Sequence, residues 1–297
     1  MTATKLHVHT SPLGLNNREL LISKLKDADT ALSEYCFANL YLFRDKHDYQ
    51  IVDSDGYTYL SGLSYNGEHY IMPLENLEKC SENYIESLKN LVRSESYQCI
   101  FPIPEKWLRF FPENDYRIEY IEDDSEYIYQ KEKLADYPGR KLSKKRNLVS
   151  QFLREHDPEI RKIDKDSMKD ILSLLQLWQC RSGQEMGDSD YNACIDGLKL
   201  YNELGLSGAL FLADGEPSGF VMGEYAGESS YVIHFAKGNI EKKGIYQYMF
   251  QAYVREFCDE ARIINLEQDM GMEGLRKTKR SYQPDRMLHK YRIYPKV

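Results

Sequence analysis

The pattern of apolar positions sorts the chain into two runs of elements. In the second half, residues 142–155 predict a helix with Leu142, Leu148, Val149, Phe152 and Leu153 behind a basic face. A short strand over 159–163 follows. Apolar side chains then recur at Ile171, Leu174, Leu175 and Trp178, the stripe of a helix over 166–179. Tyr191, Cys194, Ile195, Leu198 and Tyr201 mark another helix over 190–203. Three strands come next, 208–213, 219–225 and 230–236, separated by Asp214-Gly215 and Ala226-Gly227. Asp-Gly between such runs is a strong hairpin signal. A helix over 244–259, a strand over 262–266, a helix over 272–279 and a strand over 287–294 complete the series.

The first half repeats part of this order. It predicts a helix over 16–34, strands over 50–52, 56–61 and 69–72, a helix over 74–92 and a strand over 98–101. A helix over 105–111 and strands over 117–120 and 127–130 follow. Phe37, Asn39 and Tyr41 would share one face of a strand, but the favoured reading makes the aromatics core residues at the end of the first helix. Three strands, helix, strand, helix, strand closes both halves, which points to a diverged duplication. Pro138-Gly139 is the expected boundary, giving domains of 1–138 and 139–297. The fold class is α/β of the α+β kind, with mixed twisted sheets flanked by helices. The full order of the second half resembles the topology of the GCN5-related N-acyltransferases (GNAT).

Composition narrows the setting. The chain has 297 residues, 42% of them hydrophobic, and its 24 Tyr fit strands as well as polar pockets. No apolar run approaches the roughly 18 residues of a membrane helix. The opening residues 1–14 lack the charge and apolar stretch of a signal peptide, so a cytoplasmic location is expected. The six cysteines are scattered, with no CxxC pair and no histidine at metal-ligand spacing. They read as free buried thiols, and no metal is expected.

Charge is polarised. Residues 274–297 carry eight Lys/Arg and one Asp, and residues 139–154 carry six Lys/Arg and no acid. The net charge of −8, less the +7 and +6 of these segments, leaves −21 on the remaining 257 residues. An acidic body with two basic islands fits a site for a phosphate-bearing ligand and disfavours a general nucleic-acid coat. The bland alternative for the tail is a solvated edge strand guarded by lysines.

The candidate chemistry gathers at 265–282. Asp269 is either a base for an acceptor nucleophile or the cap of the following helix. Glu267, two residues earlier on a strand, shares its face, and the pair suits a protonated amine. Asn265 and Gln268 flank them as candidate substrate contacts. Arg276 and Lys279, three apart on the next helix, suit a phosphate or a developing oxyanion, and Lys277 lies on an adjacent face. Tyr282 is a candidate acid or a packed tyrosine. Lys144 and Arg146 are candidate donor contacts or a solvated helix face. Phe235, Lys237, Gly238, Lys242, Lys243 and Gly244 surround the strand end and helix start where an anion would meet backbone amides.

Three stretches, 36–44 (CFANLYLFR), 139–152 (GRKLSKKRNLVSQF) and 264–284 (INLEQDMGMEGLRKTKRSYQP), resemble the soluble relatives of the phosphatidylglycerol lysyltransferase C-terminal domain. The resemblance implies two GNAT-like domains in tandem, as in the Fem-type aminoacyltransferases, the first degenerate and the second carrying the site. In membrane-bound relatives this unit moves an amino acid from aminoacyl-tRNA onto a lipid hydroxyl. The chain departs from the acyl-CoA signature Gln/Arg-x-x-Gly-x-Gly/Ala, reading Glu241-Lys242-Lys243-Gly244-Ile245-Tyr246 at that place. The expected function is acyl or aminoacyl transfer to an amine or hydroxyl, from acyl-CoA or aminoacyl-tRNA. A non-catalytic ligand-binding protein on the same fold is the alternative.

Overall fold

The computed structural model describes residues 8–28, 30–94, 96–183, 189–227 and 229–296. The first seven residues of the segment read for a leader lie outside them. The chain forms two compact units, Met1–Ser125 with Leu288–Val297, and Glu126–Met287. The contact boundary thus falls before Glu126 rather than at Pro138, because the strand at 126–130 pairs within the second unit.

The first unit runs β1 (Val8–Pro12), α1 (Arg18–Asp27), α2 (Phe37–Leu42), α3 (Arg44–His47), β2 (Gln50–Ser54), β3 (Tyr57–Leu63) and β4 (His69–Pro73). It continues with α4 (Glu82–Arg93), β5 (Cys99–Pro104) and β6 (Tyr116–Tyr120). The long helix expected over 16–34 stops at Asp27, and every residue of α2 is buried, so Phe37 and Tyr41 sit in a helix of their own. The helix expected from 74 starts at Glu82, where Ser81 Oγ accepts the Tyr84 amide as an N-cap. Residues 105–110 form a 3₁₀ turn.

The second unit contains β7 (Glu126–Gln130), α5 (Lys131–Asp136), α6 (Ser143–Glu155), β8 (Pro158–Lys162), α7 (Met168–Ser182) and α8 (Tyr191–Lys199). Then come β9 (Ser207–Ala213), β10 (Glu216–Ala226), β11 (Ser230–Gly238), α9 (Ile245–Phe257), β12 (Ile263–Gln268), α10 (Glu273–Ser281) and β13 (Arg286–Leu288). The strand expected over 287–294 is therefore two strands, and the second, β14 (Lys290–Pro295), belongs to the first unit's sheet.

Each unit holds a seven-stranded mixed sheet, ordered β1-β2-β3-β4-β5-β14-β6 and β13-β7-β12-β11-β10-β9-β8. Read from β1 and from β8, both begin with antiparallel neighbours and then a single parallel pair, β4 with β5 and β11 with β12. The position beyond that pair is filled in each case by a strand from elsewhere in the chain, β14 in one and β7 in the other. The two sheets are thus repeats of one GNAT-like plan, with their sixth strands exchanged.

β14 overturns the solvated edge strand considered for the tail. It lies between β5 and β6, and Lys290 and Arg292 are buried. Lys290 Nζ donates to Glu34 Oε1 at 2.5 Å, Arg292 donates to Asp124, and the Arg292 guanidinium lies over the Phe101 ring. Two charges of the basic tail are therefore consumed inside the first unit. Removing one partner of a buried pair costs about 3–5 kcal/mol, whereas replacing both with apolar groups is often neutral. Lys290→Met is expected to lower stability by that amount in denaturant titration, and Glu34→Leu combined with Lys290→Met to recover most of it. Equal loss in the single and double variants would show that the ion pair is not what holds β14.

Candidate functional site

The parallel ladder of the second sheet is short. β11 and β12 pair only at Ser230–Val232 with Ile263–Asn265, while β11 runs on to Gly238 and β12 to Gln268. Beyond these rungs the strands part. An extra residue in β11 relative to β10 falls at His234, since Gly223 faces Ile233 and Met222 faces Phe235. A Cβ on Gly223 would lie 2.1 Å from the Val232 carbonyl, so only glycine fits this bulge. His234, buried at 7% exposure, then links three strands. Its Nδ1 lies 2.9 Å from Glu267 on β12, and its Nε2 lies 3.0 Å from Glu224 on β10. Burial alone would lower the imidazole, but the two carboxylates outweigh it and raise its pKa to about 10. At neutral pH the ring is an imidazolium donating from both nitrogens.

β12 ends in a strained turn. Glu267 and Met270 are non-glycine residues at φ 57° and 53°, and Gly271 follows at 74°. Asp269 holds this turn from inside, at 1% exposure. Its Oδ1 accepts the Gly271 amide and Arg276 Nη2, both at 2.9 Å. Its Oδ2 accepts the Tyr127 hydroxyl at 2.6 Å and Arg276 Nε at 2.9 Å. Burial pushes the carboxyl up, but the bonds from Arg276, Tyr127 and Gly271 prevail and hold it below its ordinary value. Four donors occupy the four lone-pair directions of a carboxylate, which leaves none for a nucleophile's proton. Asp269 is therefore poorly placed as a general base. It is not the N-cap either: α10 starts after Met272, and Asp269 makes a two-residue side-chain turn to Gly271.

The other sequence-predicted residues divide between architecture and surface. Arg276 is engaged with Asp269. Lys279 Nζ donates to the Glu267 and Gln268 carbonyls at 3.2 and 2.6 Å, so these cations fasten the turn instead of clamping a phosphate. Asn265 is fully buried, donating to Glu126 Oε2 and accepting the Glu267 amide, which excludes direct substrate contact. Tyr282 is buried in the core with its hydroxyl accepting from Gln247, and burial pushes its phenol up, so it is not an available acid. Arg146 donates to the carbonyls of Tyr137 and Gly139, and acts as a clamp on the chain entering α6. Lys144 and Lys277 are exposed.

The expected anion cradle is largely committed. Phe235 is core. Lys237 Nζ is held by both oxygens of Asp190, at 2.8 and 2.7 Å, and lies over the Trp178 ring. The Gly238 amide donates to Tyr246 Oη at 3.1 Å, and Lys242 pairs with Asp214. Lys243 is exposed. Gly244, at φ 92°, has another reason to be glycine: a Cβ there would stand 2.3 Å from the Leu148 carbonyl of α6. A valine at this position would strain the fold, so it cannot test ligand binding by itself.

The two basic islands do converge. Lys145 Nζ, from α6, donates to Ser281 Oγ at the end of α10 at 2.7 Å and lies 3.7 Å from the Tyr282 ring centroid. Burial lowers this ammonium to about 8. Segments 130 residues apart thus place Lys144, Lys277 and Arg280 on neighbouring helices. Sequence reasoning missed His234 and Glu224, and it named Lys237 without its partners Asp190 and Trp178. The available signal was a lone histidine and a lone lysine in the apolar strand YVIHFAKG, but their partners depend on strand register.

The family model for the C-terminal region of phosphatidylglycerol lysyltransferase matches residues 26–294, and the chain belongs to that family. A comparison with curated proteins gave no match. Among solved structures, a conserved protein of unknown function from Bacteroides thetaiotaomicron is similar at 23% identity and a TM-score of 0.85, over 97% of this chain and 100% of the other. L-PGS from Bacillus licheniformis is similar at 16% identity and a TM-score of 0.62, over 93% and 91% of the two chains. FemX is similar at 10% identity and a TM-score of 0.61, over 97% of each. At these identities the likeness is one of fold. Among the described residues, no helix is long and apolar enough to cross a membrane.

Two outcomes follow from the geometry. Asp269→Asn puts an amide donor against Arg276 or Tyr127, and a buried polar group left unsatisfied costs about 1–3 kcal/mol. A clear fall in melting temperature is expected, and an unchanged one would return Asp269 to a capping or catalytic role. The second outcome concerns pH. The folded pKa of His234 is raised from 6.5 to about 10. Its stabilising contribution is therefore complete below pH 6.5 and is lost as pH rises through about 10. The stability gap between the wild type and His234→Gln should shrink over that window, and a constant gap would show that the imidazole is not charged in the fold.

Proposed function

We propose that this member of the phosphatidylglycerol lysyltransferase C-terminal family is a transferase that moves an acyl or aminoacyl group from an activated, phosphate-bearing donor to an amine or hydroxyl. The observation that carries this reading is the meeting of the two basic helices, α6 and α10, in the unit where β11 and β12 part. The β11–β12 ladder stops at Val232, and the exposed Lys144 and Lys277 of the two helices attract a donor's phosphates.

Of the two donors considered, aminoacyl-tRNA fits better than acyl-CoA. What weighs against a pyrophosphate is the strand end that would face it: Tyr246 engages the Gly238 amide, and Lys242 is paired with Asp214. The polyanionic end of a tRNA would instead meet Lys144, Lys277 and Arg280. In this reading the acceptor's nitrogen or oxygen attacks the donor carbonyl. The ester bond breaks as the bond to the acceptor forms; the acceptor's proton passes to Glu267, which returns it to the leaving ribose oxygen. Glu267 is oriented by His234 and sits at the rim of the parted strands. No covalent enzyme intermediate is needed, and positioning supplies much of the rate.

Two variants test this reading together. Glu267→Gln is expected to lower turnover by roughly 100-fold while leaving donor binding intact, the usual scale for losing a general base. Lys144→Ala with Lys277→Ala should weaken donor binding and reduce the slope of log affinity against log salt by about one per lysine. Full turnover in the first and an unchanged salt slope in the second would favour a ligand-binding protein without transfer chemistry.

A further inference from the structure

Beside the end of β11 lies a cavity of about 310 Å³ that no role described so far uses. Its walls are Leu174, Leu177 and Trp178 of α7, Ile240 beyond β11, and Met272 at the foot of α10. It therefore opens between the end of β11 and the turn that follows β12, next to where those strands separate. Three of these apolar side chains are left to water: Ile240 is 70% exposed, Met272 41% and Leu177 38%. Isolated exposed apolar residues need no explanation, but three around one hollow mark a binding surface. The volume is at the low end for small-molecule sites, about 300–1,000 Å³, and suits one side chain rather than a cofactor.

The charges at this cavity decide what it takes. Lys237 and Arg181 line it, and both are engaged, Lys237 by Asp190 and Arg181 by Asn239 and Glu241. An anion entering here would compete with carboxylates already in place. A cation would find both positive groups already paired and no open carboxylate, since among the described residues no Asp or Glu lines the hollow. What remains favourable is the burial of hydrocarbon, worth about 25 cal/mol per Å². Trp178, one face covered by the Lys237 ammonium 3.5 Å from the ring centroid, offers the cavity a held aromatic surface.

We infer that this cavity receives the side chain of the transferred group, and that this side chain is neutral and apolar, aromatic or branched aliphatic, rather than cationic. The inference rests on the transferase reading above and adds the substrate class to it.

Amino-acid amides serve as probes because they carry the side chain without the donor. L-phenylalaninamide, L-leucinamide and L-lysinamide are titrated into the full chain, followed by tryptophan emission and by calorimetry. Trp178 is the reporter, since the only other tryptophan, Trp107, is fully buried in the first unit. The phenylalanine and leucine amides should bind saturably and at least tenfold more tightly than the lysine amide. Ile240→Asp, a change at an exposed position, should weaken phenylalaninamide at least tenfold with no change in melting temperature. Equal or tighter binding of lysinamide, no saturable binding of any probe, or wild-type binding by Ile240→Asp would each overturn the assignment. The readouts also separate this inference from the reading beneath it. Binding of apolar amides without transfer keeps the cavity and removes the transferase. Transfer confined to cationic aminoacyl groups does the reverse.

Discussion

Asp269 brings a charge into the interior of the second unit, and four hydrogen bonds keep it there. Each non-glycine residue in the left-handed region costs about 1–3 kcal/mol and persists only where its surroundings over-determine it. Glu267 and Met270 are such residues, and the Arg276 fork on Asp269 with Lys279 on two carbonyls supplies that over-determination. The turn then sets everything near it. It aims Glu267 at His234, it ends β12 where β11 continues, and it delivers Met272 to the wall of the cavity. A carboxylate that reads in the sequence as a reagent is the fastening of this turn.

The parting of β11 and β12 has its own logic. A parallel ladder would tie the strands through backbone bonds, and here it gives way after Val232 to a side-chain link, Glu224–His234–Glu267. Backbone groups released from a ladder need other partners. The Gly238 amide finds one in Tyr246, and the Asn265 side chain takes the Glu267 amide. At Gly238 and Glu267 the opened sheet therefore rests on specific polar side chains, and several residues that read as ligand contacts turn out to be bonded within the protein.

Much of the fold was legible in the sequence, because amphipathic helices and hairpin strands declare themselves locally. The stripe at Ile171, Leu174 and Leu175 and the Asp214-Gly215 turn both mark elements that the structure contains, with ends shifted by a few residues. The exchanged strands were not legible. β7 and β14 have ordinary strand patterns, and which sheet they join depends on partners more than 130 residues away. Local pattern also could not say whether a basic residue faces water. Lys290 and Arg292 counted toward a cationic tail but are spent on Glu34 and Asp124, while Lys277 stays outside. At the candidate site the residue types were readable and their duties were not, since Asp in a turn after a strand serves equally as base, cap or structural anchor.

The exchange of sixth strands also imposes an order on the making of the protein. β5 and β6 are complete once residue 120 has been added, yet the strand that lies between them is residues 290–295. At roughly 5–20 residues per second, a ribosome leaves that slot empty for about 10–35 seconds. During this interval the β5 edge and the acids Glu34 and Asp124 wait without β14 and its Lys290 and Arg292. Open edges of this kind recruit foreign strands. The nascent first unit must therefore be kept from its neighbours on the polysome until its own missing strand emerges. Its maturation is timed by translation of the second unit.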